Sequence, residues 1–269
     1  MHLPPDWDVP SKGNGLLCDK FEKHVFTGGP VALPYRLFLP KPARKVPLPL
    51  VIYLHGADAV GHDNESPLSM HDIGTMFARD DWQNTHPCYI LAPQYNYGQH
   101  WSMSDTQEAF FALLDQLKRE HWGIDRSRIY IYGYSAGGVG TLRYVKERPY
   151  LFAAAISICG ATGREDIEEL YRTPLYMVHA ADDEIVKASY LTPKTLRLAH
   201  FGSRDIYAYL MDKDEEACGQ LHYKELPEGW MKEHYGVNAH CSWVAVSDAG
   251  DGSLREWMFA RTRLRLHHE

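Results

Sequence analysis

Eleven residues, Arg-Ile-Tyr-Ile-Tyr-Gly-Tyr-Ser-Ala-Gly-Gly from Arg128 to Gly138, constrain this chain more than any other stretch. A strand-like run of β-branched and aromatic residues ends in Gly133-Tyr134-Ser135-Ala136-Gly137 and passes into a segment compatible with a helix. G-x-S-x-G in that setting predicts a sharp strand-to-helix turn that strains the serine backbone. Only very small residues fit two positions before and after the serine, which accounts for Gly133 and Gly137. The turn lifts the Ser135 hydroxyl above the sheet. The helix that follows offers unpaired backbone N–H groups and a favourable dipole. Ser135 is therefore the candidate nucleophile. A phosphate-binding loop does not fit, because there is no Walker lysine and the glycine spacing is wrong.

Around this turn the chain alternates β-rich and helical stretches, which predicts an α/β protein with a mostly parallel sheet of about eight strands flanked by helices. Residues 22–27 and 33–39 read as an opening pair of strands turning near Pro30. The run Leu48–Gly56 is nearly all apolar, as expected of a parallel strand buried on both faces. Comparable runs follow at Tyr89–Ala92, Ile129–Tyr132, Phe152–Ile158 and Leu175–Val178, with Ile206–Met211 and Leu221–Leu226 as last strands. Ser104 and Gln107 have capping-box spacing ahead of Phe110, Leu113, Leu114 and Leu117, which mark one helical face. A terminal helix is expected over Leu254–Arg261, with Trp257, Met258 and Phe259 packing inward. Residues 1–20 read as an N-terminal extension and 21–265 as one catalytic domain.

Bulk properties narrow the partners. A chain of 269 residues, 45% hydrophobic and 23% charged, can bury a large core without metals or disulfides. A net charge of -7 disfavours nucleic acid as a partner, since such proteins carry a basic face. No apolar run approaches the ~20 residues that span a bilayer, so no membrane partner is expected. The first fifteen residues lack the apolar core of a signal peptide. The expected location is the cytoplasm, with secretion open only if a leader had been removed. None of the five cysteines has CxxC spacing. Cys88 and Cys159 sit in apolar runs and read as buried thiols, while a bridge between Cys218 and Cys241 stays open. The histidines form no H-E-x-x-H pattern, and neither metal nor cofactor is expected.

The elbow over a parallel sheet resembles the α/β-hydrolase fold, in which the triad follows the order Ser, Asp or Glu, His. The strand Pro174–His179 runs into Asp182-Asp183-Glu184, and one of these carboxylates should orient the base. Chemistry alone does not separate Asp182 from Asp183. The base should follow the last strand, where His222, His234 and His240 are available. His55-Gly56-Ala57 closes an apolar strand, so the Ala57 N–H can join that of Ala136 in an oxyanion hole. His55 precedes the nucleophile and is expected to be structural.

From Leu33 to Arg261 the chain resembles α/β-hydrolase esterases of the "predicted peptidase" or polyhydroxybutyrate-depolymerase-like group, related to feruloyl and acetyl-xylan esterases. The resemblance rests on Leu33–Pro40, on Val51–Ala57 with Gly61-His62-Asp63-Asn64, on Leu91–Gln94 with Trp101, and on Ile124-Asp125 before the elbow. Phe152–Gly160 and Glu256–Phe259 extend it. The group's acid motif, H-G-x-x-D-x-x-V, laid on His179–Val186, implies Asp183 as the acid. Its base motif, a His with Trp three residues on, implies His240 beside Trp243. Trp101 and Tyr134 are expected to border the substrate pocket. Two segments depart from the group: Asp58-Ala59-Val60 replaces the usual Gly-Glu-Arg run, and Glu228–Ala239 is longer. The resemblance implies hydrolysis of short-chain or aromatic acyl esters, on small molecules or carbohydrates, through an acyl-enzyme. Two alternatives remain: a serine peptidase using the same triad, and a binding module that keeps the fold without catalysis.

Overall fold

A computed structural model describes residues 15–41, 46–120, 123–161, 170, 173–190, 221–247 and 253–263. Among them eight strands form one sheet: β1 Phe21–Phe26, β2 Leu33–Phe38, β3 Leu48–Leu54, β4 Tyr89–Pro93, β5 Ile124–Tyr134, β6 Ala154–Ile158, β7 Leu175–Ala180 and β8 Leu221–Leu226. Their order is β1-β2-β4-β3-β5-β6-β7-β8. β1 and β2 form an antiparallel hairpin that meets β4 antiparallel, and every later pairing is parallel. This is the expected mostly parallel sheet. The segment Ile206–Met211 lies outside the described residues.

The apolar run of β3 is buried along its whole length because the sheet is covered on both sides. Successive side chains of a strand point to opposite faces. Val51 and Tyr53 accordingly join one core with Tyr130, Tyr132, Trp243 and Met258, while Leu50, Ile52 and Leu54 join the other with Ile129, Ile131 and Phe110. The second core is covered by α1, Ser104–Glu120, and by α2, Ala136–Glu147, which follows the elbow. In α1 the apolar face predicted from spacing is buried, but the capping box does not form. The Gln107 N–H bonds to the Met103 carbonyl at 3.0 Å and the Ser104 hydroxyl turns to Asp105, so the helix starts with Ser104 already inside it. The terminal helix, Ser253–Phe259, buries Met258 and rests Trp257 and Phe259 against the first core.

The tightest packing in the sheet lies where α2 leaves β5. A methyl group placed on Gly137 would stand 1.9 Å from the Leu54 carbonyl oxygen, and one on Gly133 would stand 2.6 Å from both that oxygen and the Gly137 backbone. The elbow therefore lies backbone to backbone against the end of β3, which no side chain permits. Gly236, which ends the helix Trp230–Tyr235 at φ 69°, needs glycine for a different reason: its surroundings are open and only its left-handed backbone resists substitution. In urea unfolding, Gly236→Ala should cost about 1 kcal/mol, and Gly137→Ala should cost about 3 kcal/mol or more, because backbone has to move. Equal costs would show that the elbow can relax away from β3.

Candidate active site

Ser135 sits between β5 and α2 with φ 53° and ψ -120°, a backbone conformation that non-glycine residues rarely adopt. Its own N–H is held by the Ile158 carbonyl at 2.9 Å and the Cys159 sulfur at 3.2 Å, so the neighbouring strand β6 fixes the strained residue from below. Burial pushes the Cys159 thiol well above its ordinary range, which leaves it a neutral acceptor.

The Ser135 hydroxyl lies 3.0 Å from His240 Nε2, and His240 Nδ1 lies 2.8 Å from Asp183 Oδ2. Both partners are buried. His240 arrives on a 3-10 turn, Ala239–Cys241, whose start is capped by Asn238: its side-chain oxygen accepts the His240 N–H at 2.8 Å. Asp183 lies in the turn after β7. Asp183 Oδ1 accepts the N–H groups of Ile185 at 2.9 Å and Val186 at 3.0 Å. His179 Nε2 stands 3.4 Å from Oδ2 while donating to the Val186 carbonyl at 2.6 Å, which closes the turn. Burial by itself would raise the Asp183 carboxyl, but the hydrogen bonds from His179 and His240, the His240 charge and the Val186 N–H outweigh it and hold it well below the usual range. It is a fixed anion facing the imidazole N–H.

The neighbouring candidates are occupied elsewhere. Asp182 Oδ2 accepts the Gly229 N–H at 2.9 Å. His222 stacks on Tyr176 at 5.4 Å, and His234 stacks on Trp230 at 4.2 Å with its Nδ1 on the Trp230 carbonyl. Of the three histidines, His240 is the one joined to both Ser135 and Asp183.

The two expected oxyanion donors follow paired strand ends at the same offset. Leu54 of β3 pairs with Gly133 of β5, and Ala57 and Ala136 each come three residues later. Ala136 opens α2, where the first N–H groups lack helical partners. Ala57 opens a 3-10 turn, Ala57–Ala59, and is exposed. The loop beyond it is pinned by Gln94, whose amide donates to the Ala59 carbonyl and Asp63 and accepts the Asn64 N–H. Buried Arg36 of β2 adds a bond to the Asn64 carbonyl.

Two expected pocket residues are placed otherwise. Trp101 is fully buried, with its indole N–H donating to the His55 carbonyl at 3.0 Å and its ring edge-on to His55. It buttresses the end of β3 from behind and cannot wall an open pocket. Tyr134 is 1% exposed, and its hydroxyl donates to Asp58 Oδ1 at 2.6 Å. Its ring continues the Tyr130 and Tyr132 face of β5, and that alternation was the available signal. His55 is structural, as expected. Burial pushes it down to about 4, and the neutral ring bonds the Gly56 carbonyl through Nδ1 and accepts the Tyr95 N–H at Nε2.

The family model for the prolyl oligopeptidase family matches residues 95–190. Among solved structures, a thermostable esterase is 32% identical with a TM-score of 0.74, over 92% of this chain and 64% of the esterase. The fold is that of an α/β-hydrolase. An acylaminoacyl peptidase of Pyrococcus horikoshii shares the fold at 14% identity and a TM-score of 0.60, over 93% of this chain and 43% of its own. Est1E of Butyrivibrio proteoclasticus shares it at 16% identity and a TM-score of 0.55, over 88% of this chain and 98% of its own. The chain thus spans less than two thirds of the first two of these proteins. A search of curated protein sequences finds no match. Among the described residues no helix is long and apolar enough to cross a membrane.

The depressed Asp183 carboxyl has a consequence for stability. A group held below its unfolded value of about 3.9 stabilises the fold above that value and loses the contribution as pH falls through the folded value. Acid titration of urea stability should therefore show a decline below about pH 4 that is shallower in Asp183→Asn. Asp182→Asn should keep kcat within about tenfold of wild type, whereas Asp183→Asn should lower it by about 10⁴-fold, as the wrong imidazole tautomer does in other triads. The reverse ranking would move the acid to Asp182.

Proposed function

We propose that this α/β-hydrolase is a serine carboxylesterase with Ser135, His240 and Asp183 as its triad and no cofactor. The observation that carries the reading is the continuous chain of hydrogen bonds from Ser135 Oγ through His240 to Asp183, on an elbow that strains the nucleophile. Ser135 Oγ attacks the ester carbonyl while His240 Nε2 takes its proton. The N–H groups of Ala57 and Ala136 receive the oxyanion, each worth roughly 2.7–4 kcal/mol by analogy with known donors. The intermediate collapses, the carbon–oxygen bond to the alcohol breaks, and His240 returns the proton to the leaving oxygen. Water, deprotonated by His240, then attacks the acyl-enzyme. The acid departs and Ser135 regains its proton. Asp183 holds the imidazole in the tautomer this requires and stabilises its charged form.

Ester rather than peptide hydrolysis is supported by the 32% identity to the thermostable esterase. The prolyl oligopeptidase match over residues 95–190 favours the second reading, a serine peptidase with the same triad. Short-chain or aromatic acyl esters of small molecules or carbohydrates are the proposed substrates. This follows the resemblance to the feruloyl and acetyl-xylan group. The assembled triad speaks for catalysis over a binding module.

Ser135→Ala and His240→Ala should each lower kcat on p-nitrophenyl acetate by about 10⁵–10⁶-fold, as for other serine triads, while His222→Ala and His234→Ala stay active. Acetyl, butyryl or feruloyl esters should turn over faster than octanoyl esters and faster than a chromogenic acyl-peptide. A preference for the peptide would establish the peptidase. Failure of Ser135 to react with a fluorophosphonate would leave the binding module.

A further inference from the structure

A buried acid lies outside the triad. Asp58, the first residue after the oxyanion donor Ala57, turns its carboxylate inward and ties together segments far apart in sequence. Oδ1 accepts the Tyr134 hydroxyl at 2.6 Å, and Oδ2 accepts His71 Nε2–H at 2.7 Å. The Asp58 and His71 side chains are both more than nine-tenths buried. Tyr134 immediately precedes the nucleophile, so one hydrogen bond joins the residue before Ser135 to the residue after Ala57. Gly56 lies between them so closely that a methyl group there would stand 2.4 Å from the Tyr134 ring and 2.8 Å from Asp58 Oδ1. The aromatic stack continues to the base: Trp243 packs on Tyr134 at 4.4 Å, on His71 at 5.1 Å and edge-on to His240 at 5.8 Å. His71 Nδ1 is buried without a partner among the described residues, so Asp58 is the polar anchor of that ring.

We propose that Asp58 is a positioning residue of the esterase reaction, which sets the Ala57 N–H in register with the Ala136 N–H by locking the oxyanion loop to Tyr134 and His71. The inference rests on the esterase reading above. An oxyanion donor is effective only where its N–H is aimed at the oxygen before charge develops there. Ala57 is exposed, its turn starts without a side-chain cap, and its neighbour Gly56 brings no side chain to hold it. Asp58 supplies the missing restraint from inside the protein. A free carboxylate so near a developing oxyanion would oppose it. Here both carboxylate oxygens are engaged: burial would raise the group, but the bonds and charge from His71 and the Tyr134 hydroxyl outweigh burial and keep it ionised below its ordinary range. The group thus acts on the backbone of Ala57 and does not touch substrate.

The test compares wild type, Asp58→Ala, Asp58→Asn and Tyr134→Phe on p-nitrophenyl acetate. Active sites are counted by complete fluorophosphonate labelling, and each protein is also titrated with a boronic acid that forms a tetrahedral adduct on Ser135. Tyr134→Phe removes only a hydroxyl and guards against misfolding of the Asp58 variants. Per labelled site, Asp58→Ala and Tyr134→Phe should lose about 10- to 100-fold in kcat, the scale expected when a catalytic group is misplaced. KM should stay near wild type, and boronate affinity should fall in proportion to kcat. Asp58→Asn keeps an oxygen for Tyr134 and should recover part of the loss. If the variants melt at lower temperature yet keep wild-type kcat per labelled site, Asp58 is merely structural and the proposal fails. If wild type labels but turns over no ester, the esterase reading fails, and the proposal with it.

Discussion

The contact on which the site depends is between backbones. The elbow between β5 and α2 presses Gly137 against the Leu54 carbonyl so closely that not even a methyl group fits. That approach brings the end of β3 beside the start of α2, and with them the two N–H groups expected to receive the oxyanion. It also explains why so much buried structure gathers behind the end of β3. Trp101, neutral His55 and Tyr95 form an aromatic block under the strand end. Their polar atoms are spent on the His55 and Gly56 carbonyls and the Tyr95 N–H, which would otherwise be buried unpaired. A strand end that must accept a helix at van der Waals distance cannot shift, and this block prevents it.

Other parts of the site are held by local hydrogen bonds. The Asp183 turn satisfies its own acid with two backbone N–H groups and closes on His179. Asn238 performs the same task for the turn that carries His240. Asp183 and His240 are thus each oriented by their own loop before they meet. The three are aligned by partners already fixed, at a small entropic cost on binding or reaction.

The parts of this arrangement that could be read from sequence are those written locally. The elbow declares itself because strand, glycines, serine and helix are contiguous. The parallel strands declare themselves because burial on both faces leaves an unbroken apolar run, as in Leu48–Leu54. Asp182 and Asp183 are chemically alike, and only the turn after β7 decides which one faces His240. The direction Trp101 faces is not written locally, because an aromatic residue after a buried strand can turn to either side, and here it turns inward onto His55. Tyr134 lies on the covered face with Tyr130 and Tyr132, where their alternate spacing along β5 puts it. Asp58 carried no signal at all, since its partners lie 13 and 76 residues away and nothing in its neighbours foretells them.

The bonds from His240 to Asp183 and to Ser135 join residues 57 and 105 positions apart, and Asp58 meets Tyr134 across 76. Closing such loops costs entropy that only the finished packing repays. Helices and the β1–β2 hairpin, by contrast, form from near neighbours. In refolding, backbone structure should therefore return ahead of the assembled Ser135–His240–Asp183 chain, and under the proposed esterase reading the hydrolytic rate becomes a clock for the last step of assembly rather than the first.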